Sequence, residues 1–297
     1  GRQIDLDLLA RVTPDIDLQS WLSMCADAGV LDVQDGVWRF AHDKLRESVL
    51  SALSVEERTA IHRSVAVALE AAYREAGEPI EGAARLAHHW SESGDVERER
   101  VYMAFACEAS AISGAYKQAK ICGERAMTLA QQAQQAQIED AETDESALID
   151  PAWLGRLYGA LGTAYAGLGD YALSRRCFEE QLTIARSLQD KNGIAEALGN
   201  LSSTAWRSGN YQEAWQFASD SEVIFRSLGI LSGVAGAVET LSRVARWLGD
   251  NDISRQYALE ALTIYTELGN RYGISEAHNN LGLVAQMIGD FSAALRH

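Results

Sequence analysis

The sequence predicts an all-α molecule of stacked antiparallel helix pairs, preceded by one small domain with a β-hairpin. Three observations carry that prediction. A set of residues recurs every 40 positions through the second half of the chain. Each recurrence holds a glycine followed by Asp or Asn, the signature of one helix stopping and another starting. Only three prolines, Pro14, Pro79 and Pro151, interrupt the 297 residues, so long tracts are free to be helix.

The period is explicit. Leu161, Leu201, Leu241 and Leu281 mark it, as do Gly169, Gly209, Gly249 and Gly289, followed by Asp170, Asn210, Asp250 and Asp290. Ser174, Ala214, Ser254 and Ala294 come next, small residues that let two helices approach closely. Ile184, Ile224 and Ile264 with Leu188, Leu228 and Leu268, at i and i+4, predict one buried stripe. Gly193, Gly233 and Gly273 are expected to end the loop before the next unit, and Ala197, Ala237 and Ala277 complete the set. One helical hairpin cannot bury its own apolar face, so neighbouring units must stack.

The best unit reads Leu161-Gly162-x-x-Tyr165-x-x-Leu168-Gly169-Asp170-Tyr171-x-x-Ser174-x-x-x-Phe178. It resembles the tetratricopeptide repeat in a long-helix form, which implies a superhelix of antiparallel helix pairs over 151–297 with the last unit truncated at His297. A HEAT-type array shares the period but does not require these L-G-x-x-Y and G-D-Y pieces. An earlier unit, Gly114-Ala115-Tyr116 with Ala119 and Ala126, lies 15 residues beyond one period from Gly169. An overlong helix and an acidic linker over 136–150 absorb the difference. Residues 55–135 therefore read as degenerate repeat-like helices. Within them Ile80, Ala84, Ala87 and Trp90 form a stripe ending at Gly94-Asp95, flanked by His88 and His89, which read as ordinary histidines rather than ligands. Ser54-x-x-Glu57 is a capping box opening a long helix.

Charge and missing motifs exclude several functions. A formal charge of −16 argues against binding nucleic acid or an anionic membrane. No lysine follows a glycine, so there is no P-loop, and neither a G-x-S-x-G elbow nor a G-x-G-x-x-G turn is present. Four scattered cysteines and six histidines show no metal-ligand spacing. The chain reads as a non-catalytic, soluble, cytoplasmic piece of a larger protein, without cofactor or metal of its own.

Residues 1–54 differ from the rest. Helical patterns near Asp5–Arg11 and Asp17–Ala28 precede Val30-Leu31-Asp32-Val33, an Asp35-Gly36 turn and the return strand Val37-Trp38-Arg39-Phe40. This order predicts a winged helix. Residues 13–38 hold no Lys or Arg but five aspartates, so this wing is expected to pack on protein rather than DNA.

The stretches Gly1-Arg2-Gln3-Ile4-Asp5-Leu6-Asp7-Leu8-Leu9, Ala28-Gly29-Val30-Leu31 and Arg39-Phe40-Ala41-His42-Asp43-Lys44-Leu45-Arg46-Glu47 resemble one arrangement. It is the winged-helix region after the nucleotide-binding core of bacterial STAND ATPases (signal-transduction ATPases with numerous domains), the family of regulators related to the maltose transcription activator. Ala87-His88-His89-Trp90 with Gly94-Asp95 is similar to the helices leading into their repeats. The resemblance implies that His42 meets the β-phosphate of ADP when a nucleotide-binding core is present; a buried histidine capping the next helix is the alternative. Two functions stay open: the regulatory arm of an ATP- or ADP-switched signalling protein, or a plain interaction scaffold with no nucleotide; the sequence leaves oligomerisation of the full protein open as well.

The repeat resemblance places ligand recognition on the first helix of each unit, lining a concave groove. Glu196, Ser203, Trp206, Arg207, Glu239, Arg243, Arg246, Trp247, Glu276, Asn279 and Gln286 fall on that face. Its arginines and tryptophans predict a protein or peptide ligand, or a small inducer, that carries anionic groups beside apolar anchors.

Overall fold

The computed structural model describes residues 3–75, 77, 82–139 and 150–297. Most of the acidic segment 136–150, together with Ile80 and the first two residues, lies outside them. Fifteen helices and one two-stranded hairpin account for most of the described chain, as an all-α repeat architecture requires. Two compact units can be delimited, one of residues 1–109 and 125–133, the other of residues 110–124 and 134–297.

In the first unit, Asp5 caps α1 (Leu6–Val12) and Asp17 caps α2 (Leu18–Asp27), each accepting backbone N–H bonds. β1 (Leu31–Gln34) and β2 (Val37–Phe40) pair antiparallel, Leu31 opposite Phe40. Asp35 (φ 55°) and Gly36 (φ 77°) form the turn between them with both φ positive, as its hairpin geometry needs. Gln3 adds a bridge to Arg39 that the sequence did not announce. Then follow α3 (Asp43–Ala52) and α4 (Val55–Glu75). The capping box at the head of α4 is made on both sides: Glu57 N–H donates to Ser54 Oγ at 3.1 Å, and Ser54 N–H to Glu57 Oε2 at 2.8 Å. In α5 (Ala83–Glu92) the buried stripe is Ala83, Leu86, Ala87 and Trp90. Ala84, expected in that stripe, is exposed. Leu86 and Trp90 pack on Ala66 and Leu69 of α4, with Leu8 of α1 against them.

α6 (Val96–Ile112) and the overlong α7 (Tyr116–Glu139) lead into the repeats. In the second unit the pairs are α8 (Pro151–Leu168) with α9 (Tyr171–Ser187), α10 (Lys191–Arg207) with α11 (Tyr211–Leu228), α12 (Leu231–Trp247) with α13 (Asn251–Glu267), and α14 (Arg271–Met287) with α15 (Phe291–Arg296). Gly169, Gly209, Gly249 and Gly289 take φ of 80–87° and end the first helices. Asp170, Asp250 and Asp290 cap the second helices with their side chains. Small residues close the hairpins as expected. Ser202 Oγ donates to Ala214 O at 2.7 Å, and Ser242 Oγ to Ser254 O at 2.8 Å, all buried.

Two sequence expectations fail. The loops between units, which turn at Gln189, Gly229 and Gly269 with positive φ, end at the N-caps Asp190, Ile230 and Asn270, and not at Gly193, Gly233 and Gly273. The latter three sit in the first turn of the following helix, where Gly193 lies against Asp190 and Ala185 while Gly233 and Gly273 admit an aromatic ring. A Cβ at Gly233 would lie 2.4 Å from Phe225, and one at Gly273 2.4 Å from Tyr265. Leu188, Leu228 and Leu268 are exposed at the helix ends; the buried face runs through Ser174, Phe178, Leu182 and Ala185 and their equivalents.

The 15-residue insertion leaves repeat packing intact. Tyr211, opening a second helix, stacks on Trp247, closing the next first helix, with ring centroids 5.5 Å apart and planes 8° apart. Tyr116 makes the same relation with Gly167, where a Cβ would come within 2.3 Å of its ring. First helices α8, α10, α12 and α14 also approach one another directly, which the second helices do not do comparably. The first-helix side of this unit is its inner face.

Candidate functional site

On that inner face the predicted residues separate into three groups. Glu196 and Ser203 line a cleft of about 390 Å³ between α10 and α12. The cleft is bounded otherwise by Gly199, Asn200, Phe225, Gly236 and Thr240, among others. Glu196 accepts a bond from Asn192 Nδ2 at 2.8 Å and has no ion-pair partner among the described residues. Asn279 and Gln286 stand exposed on α14.

The second group is a closed network. Arg243 forms ion pairs with Glu239, one turn back, and with Glu276 of α14 at 3.0 Å. Tyr265 of α13 donates its hydroxyl to Glu239 at 2.5 Å. Burial, then this bond, drives the phenol pKa upward, because ionising would set two anions side by side. With two carboxylates around one guanidinium the network is net negative, and the Arg243 charge is already compensated within the protein.

The third group packs. Trp206 lies half-buried on Ala205, Ala214 and Val244, with the Arg243 guanidinium 5.4 Å from its ring centre. The core role wins there over display in the groove. Trp247 is 55% exposed but committed to Tyr211. Arg207 is exposed beside Trp206. Arg246 is half-buried, 5.8 Å from the Trp247 ring centre, and its Nε is buried with no hydrogen-bond partner. Burial, then the neighbouring Arg243 charge, lowers its pKa.

Outside the repeats, His42 occupies the N-cap position of α3 with its side chain exposed and making no cap hydrogen bond. The buried capping role is thereby removed. Sequence reasoning missed one cluster. His62 of α4 lies beside His88 and His89 of α5, with ring centroids 5.0–5.7 Å apart and His62 Nδ1 3.2 Å from His89 Nδ1. Burial chiefly pulls the His89 pKa down to about 4. Among the described residues no group of three or more His, Cys, Asp or Glu is placed to hold a metal ion. No described helix is long and apolar enough to cross a membrane.

No curated protein matches this sequence. Solved structures match at low identity. The chain resembles BtubC (BKLC) from P. vanneervenii at 20% identity, covering 82% of this chain and 88% of that one, with a TM-score of 0.53. It resembles the STAND protein with a tetratricopeptide repeat sensor from Pyrococcus horikoshii at 13% identity and a TM-score of 0.53. That match covers 99% of this chain but only 47% of the other, about half its length. The apo quorum sensor NprR from B. thuringiensis matches at 14% identity with a TM-score of 0.57, covering 94% of this chain and 74% of that one. At such identities the likeness concerns the fold. Residues 153–225 and 234–297 match the tetratricopeptide repeat family model, and the glycine-stopped, small-residue-closed helix pairs of that region are tetratricopeptide repeats.

Proposed function

We propose that this chain is the regulatory and sensing arm of a nucleotide-switched, cytoplasmic signalling protein of the STAND type, with a polypeptide ligand seated on the inner face of its repeats. In this reading residues 1–54 are a winged helix that packs on a nucleotide-binding core, and His42 meets the ADP phosphate there. Residues 55–135 are degenerate repeats, and residues 151–297 sense the ligand. Nucleotide binding and oligomerisation belong to the larger protein.

The observation that carries the ligand reading is the cleft between α10 and α12, where neighbouring first helices leave room for a side chain. An exposed, uncapping His42 and an acidic, lysine- and arginine-free stretch over 13–38 support the arm reading. The likenesses to a STAND protein with a repeat sensor and to a quorum sensor point the same way.

The ligand reading is tested by selecting displayed random dodecapeptides on the chain and re-measuring each on a Ser203→Trp variant that keeps its circular dichroism spectrum. Peptides that lose binding support the inner face; peptides that bind the variant unchanged place recognition elsewhere. The arm reading is tested with His42→Ala in the protein containing the nucleotide-binding core. Faster ADP exchange is expected, and unchanged exchange overturns it.

A further inference from the structure

Four residues meet at the junction of α12 and α14: Glu239, Arg243, Tyr265 and Glu276. One period earlier, at the junction of α10 and α12, the same four positions are Gly199, Ser203, Phe225 and Gly236. All four line the 390 Å³ cleft. The cleft is thus the copy of the slot from which two carboxylates, a guanidinium and a phenol hydroxyl have been removed together. Nothing among the described residues refills it: a Cβ at Gly236 would have no neighbour within 4 Å, and one at Gly199 would meet only Ser221 Oγ at 3.4 Å.

The remaining lining says what fits. Glu196 is the one charged residue among the cleft-lining residues, and no ion pair neutralises it among the described residues. Phe225 and Ala237 offer apolar walls, while Asn200, Ser203, Ser232 and Thr240 supply oxygen acceptors. An aliphatic stem ending in a cation satisfies both halves. At the adjacent junction the chain itself fills the equivalent slot with an arginine.

We propose that the α10–α12 cleft receives a lysine or arginine side chain of the bound polypeptide, its stem on Phe225 and its head at Glu196. The proposal rests on the inner-face ligand reading and gives that ligand its charge: a basic residue, where the groove arginines alone suggested an acidic one.

The test titrates ¹⁵N-labelled chain with four blocked amino acids, the Nα-acetyl methylamides of arginine, lysine, norleucine and glutamate. Arginine and lysine should shift the amides of Gly199, Ser203, Gly233 and Gly236 and bind about ten-fold more tightly than norleucine, with glutamate weakest. Glu196→Gln should remove that preference. The triple variant Gly199→Glu, Ser203→Arg, Gly236→Glu transplants the neighbouring network into the cleft and should abolish the shifts with the helical spectrum retained. Equal binding of norleucine and arginine at these amides overturns the cationic assignment while leaving the inner-face reading standing. Absence of shifts there, or binding undiminished in the folded triple variant, overturns the cleft itself.

Discussion

Arg243→Ala should destabilise the repeat unit more than it weakens any ligand. Its guanidinium holds two carboxylates, and the Glu239 side chain is only 12% exposed against 23% for Arg243 and 30% for Glu276. Removing one partner of a fully buried pair costs about 3–5 kcal/mol, because the other charge stays desolvated. An exposed pair is worth about 0.2–1 kcal/mol. Intermediate burial puts the loss near 2 kcal/mol, and the forfeited contact with the Trp206 face adds about 0.5 kcal/mol. The Tyr265 hydroxyl still donates to Glu239 in the variant, which keeps the estimate below the fully buried limit. Urea denaturation followed by tryptophan fluorescence measures the change as a shift in midpoint at constant slope. Adding Glu239→Gln to Arg243→Ala removes the stranded charge and should recover about 1 kcal/mol, a coupling that a double-mutant cycle reads directly. A single variant within about 0.5 kcal/mol of the parent, or a cycle without coupling, refutes the network as a structural element. Substitutions at Arg243 therefore cannot serve as a clean probe of ligand binding.

Glycines of one appearance should respond with opposite signs. Gly233→Ala forces the Phe225 ring aside and should lose about 1–2 kcal/mol net of improved helix propensity, whereas Gly236→Ala, with open space around it, should gain about 0.5–1 kcal/mol; thermal melts of the pair that move together refute the packing account. In the first unit, the depressed His62 and His89 pKa values mean that the unfolded chain takes up protons first as pH falls. Stability should be flat above about 6.5 and decline toward about 4, by about 1 kcal/mol at pH 5 after allowing for solvent screening. A denaturation series that is flat over this range, or unaltered by His89→Asn, removes the cluster from the account. His42→Ala should leave the melting temperature of this chain within about 1–2 °C, since the side chain is exposed and caps nothing; a loss of several degrees would give His42 a structural role instead.

Much of the fold was legible because a repeat states its packing rules several times over. Leu161 and its successors, each at most 3% exposed, are core in every copy. The helix starts at Asp5, Asp17 and Ser54 were readable because a cap is a local hydrogen bond between residues two or three apart. Failures arose where two physical roles share one residue type. Gly233 and Gly229 lie four residues apart, one making room for a ring and the other turning the chain at φ 70°. The sequence marks the difference only through Phe225, eight positions before Gly233. In the first repeat, Gln189 takes the left-handed turn in place of glycine, which broke the column that would have marked the stop. His62 and His89 meet through the antiparallel register of α4 and α5, which no local pattern encodes.

The inner face was half legible for a related reason. The i,i+4 pairing of Glu239 with Arg243 is visible in the sequence; the second carboxylate, Glu276, and the phenol of Tyr265 arrive from other helices. Yet a strict period lets one known contact be projected onto every other junction. Subtracting 40 from the four network positions yields the cleft. Subtracting 40 again yields Gly159, Thr163, Ala185 and Glu196, where a Cβ at Gly159 would lie 2.8 Å from Gln181. The three junctions therefore use three solutions: a closed ionic network, an open cleft, and a glycine covered by an amide side chain. Such exchange of a whole contact set between equivalent places within one chain separates what the repeat needs in order to stack from what it is free to present. Stacking rests on Leu161, Ala197 and Ser174 with their equivalents, while the network positions vary as a group.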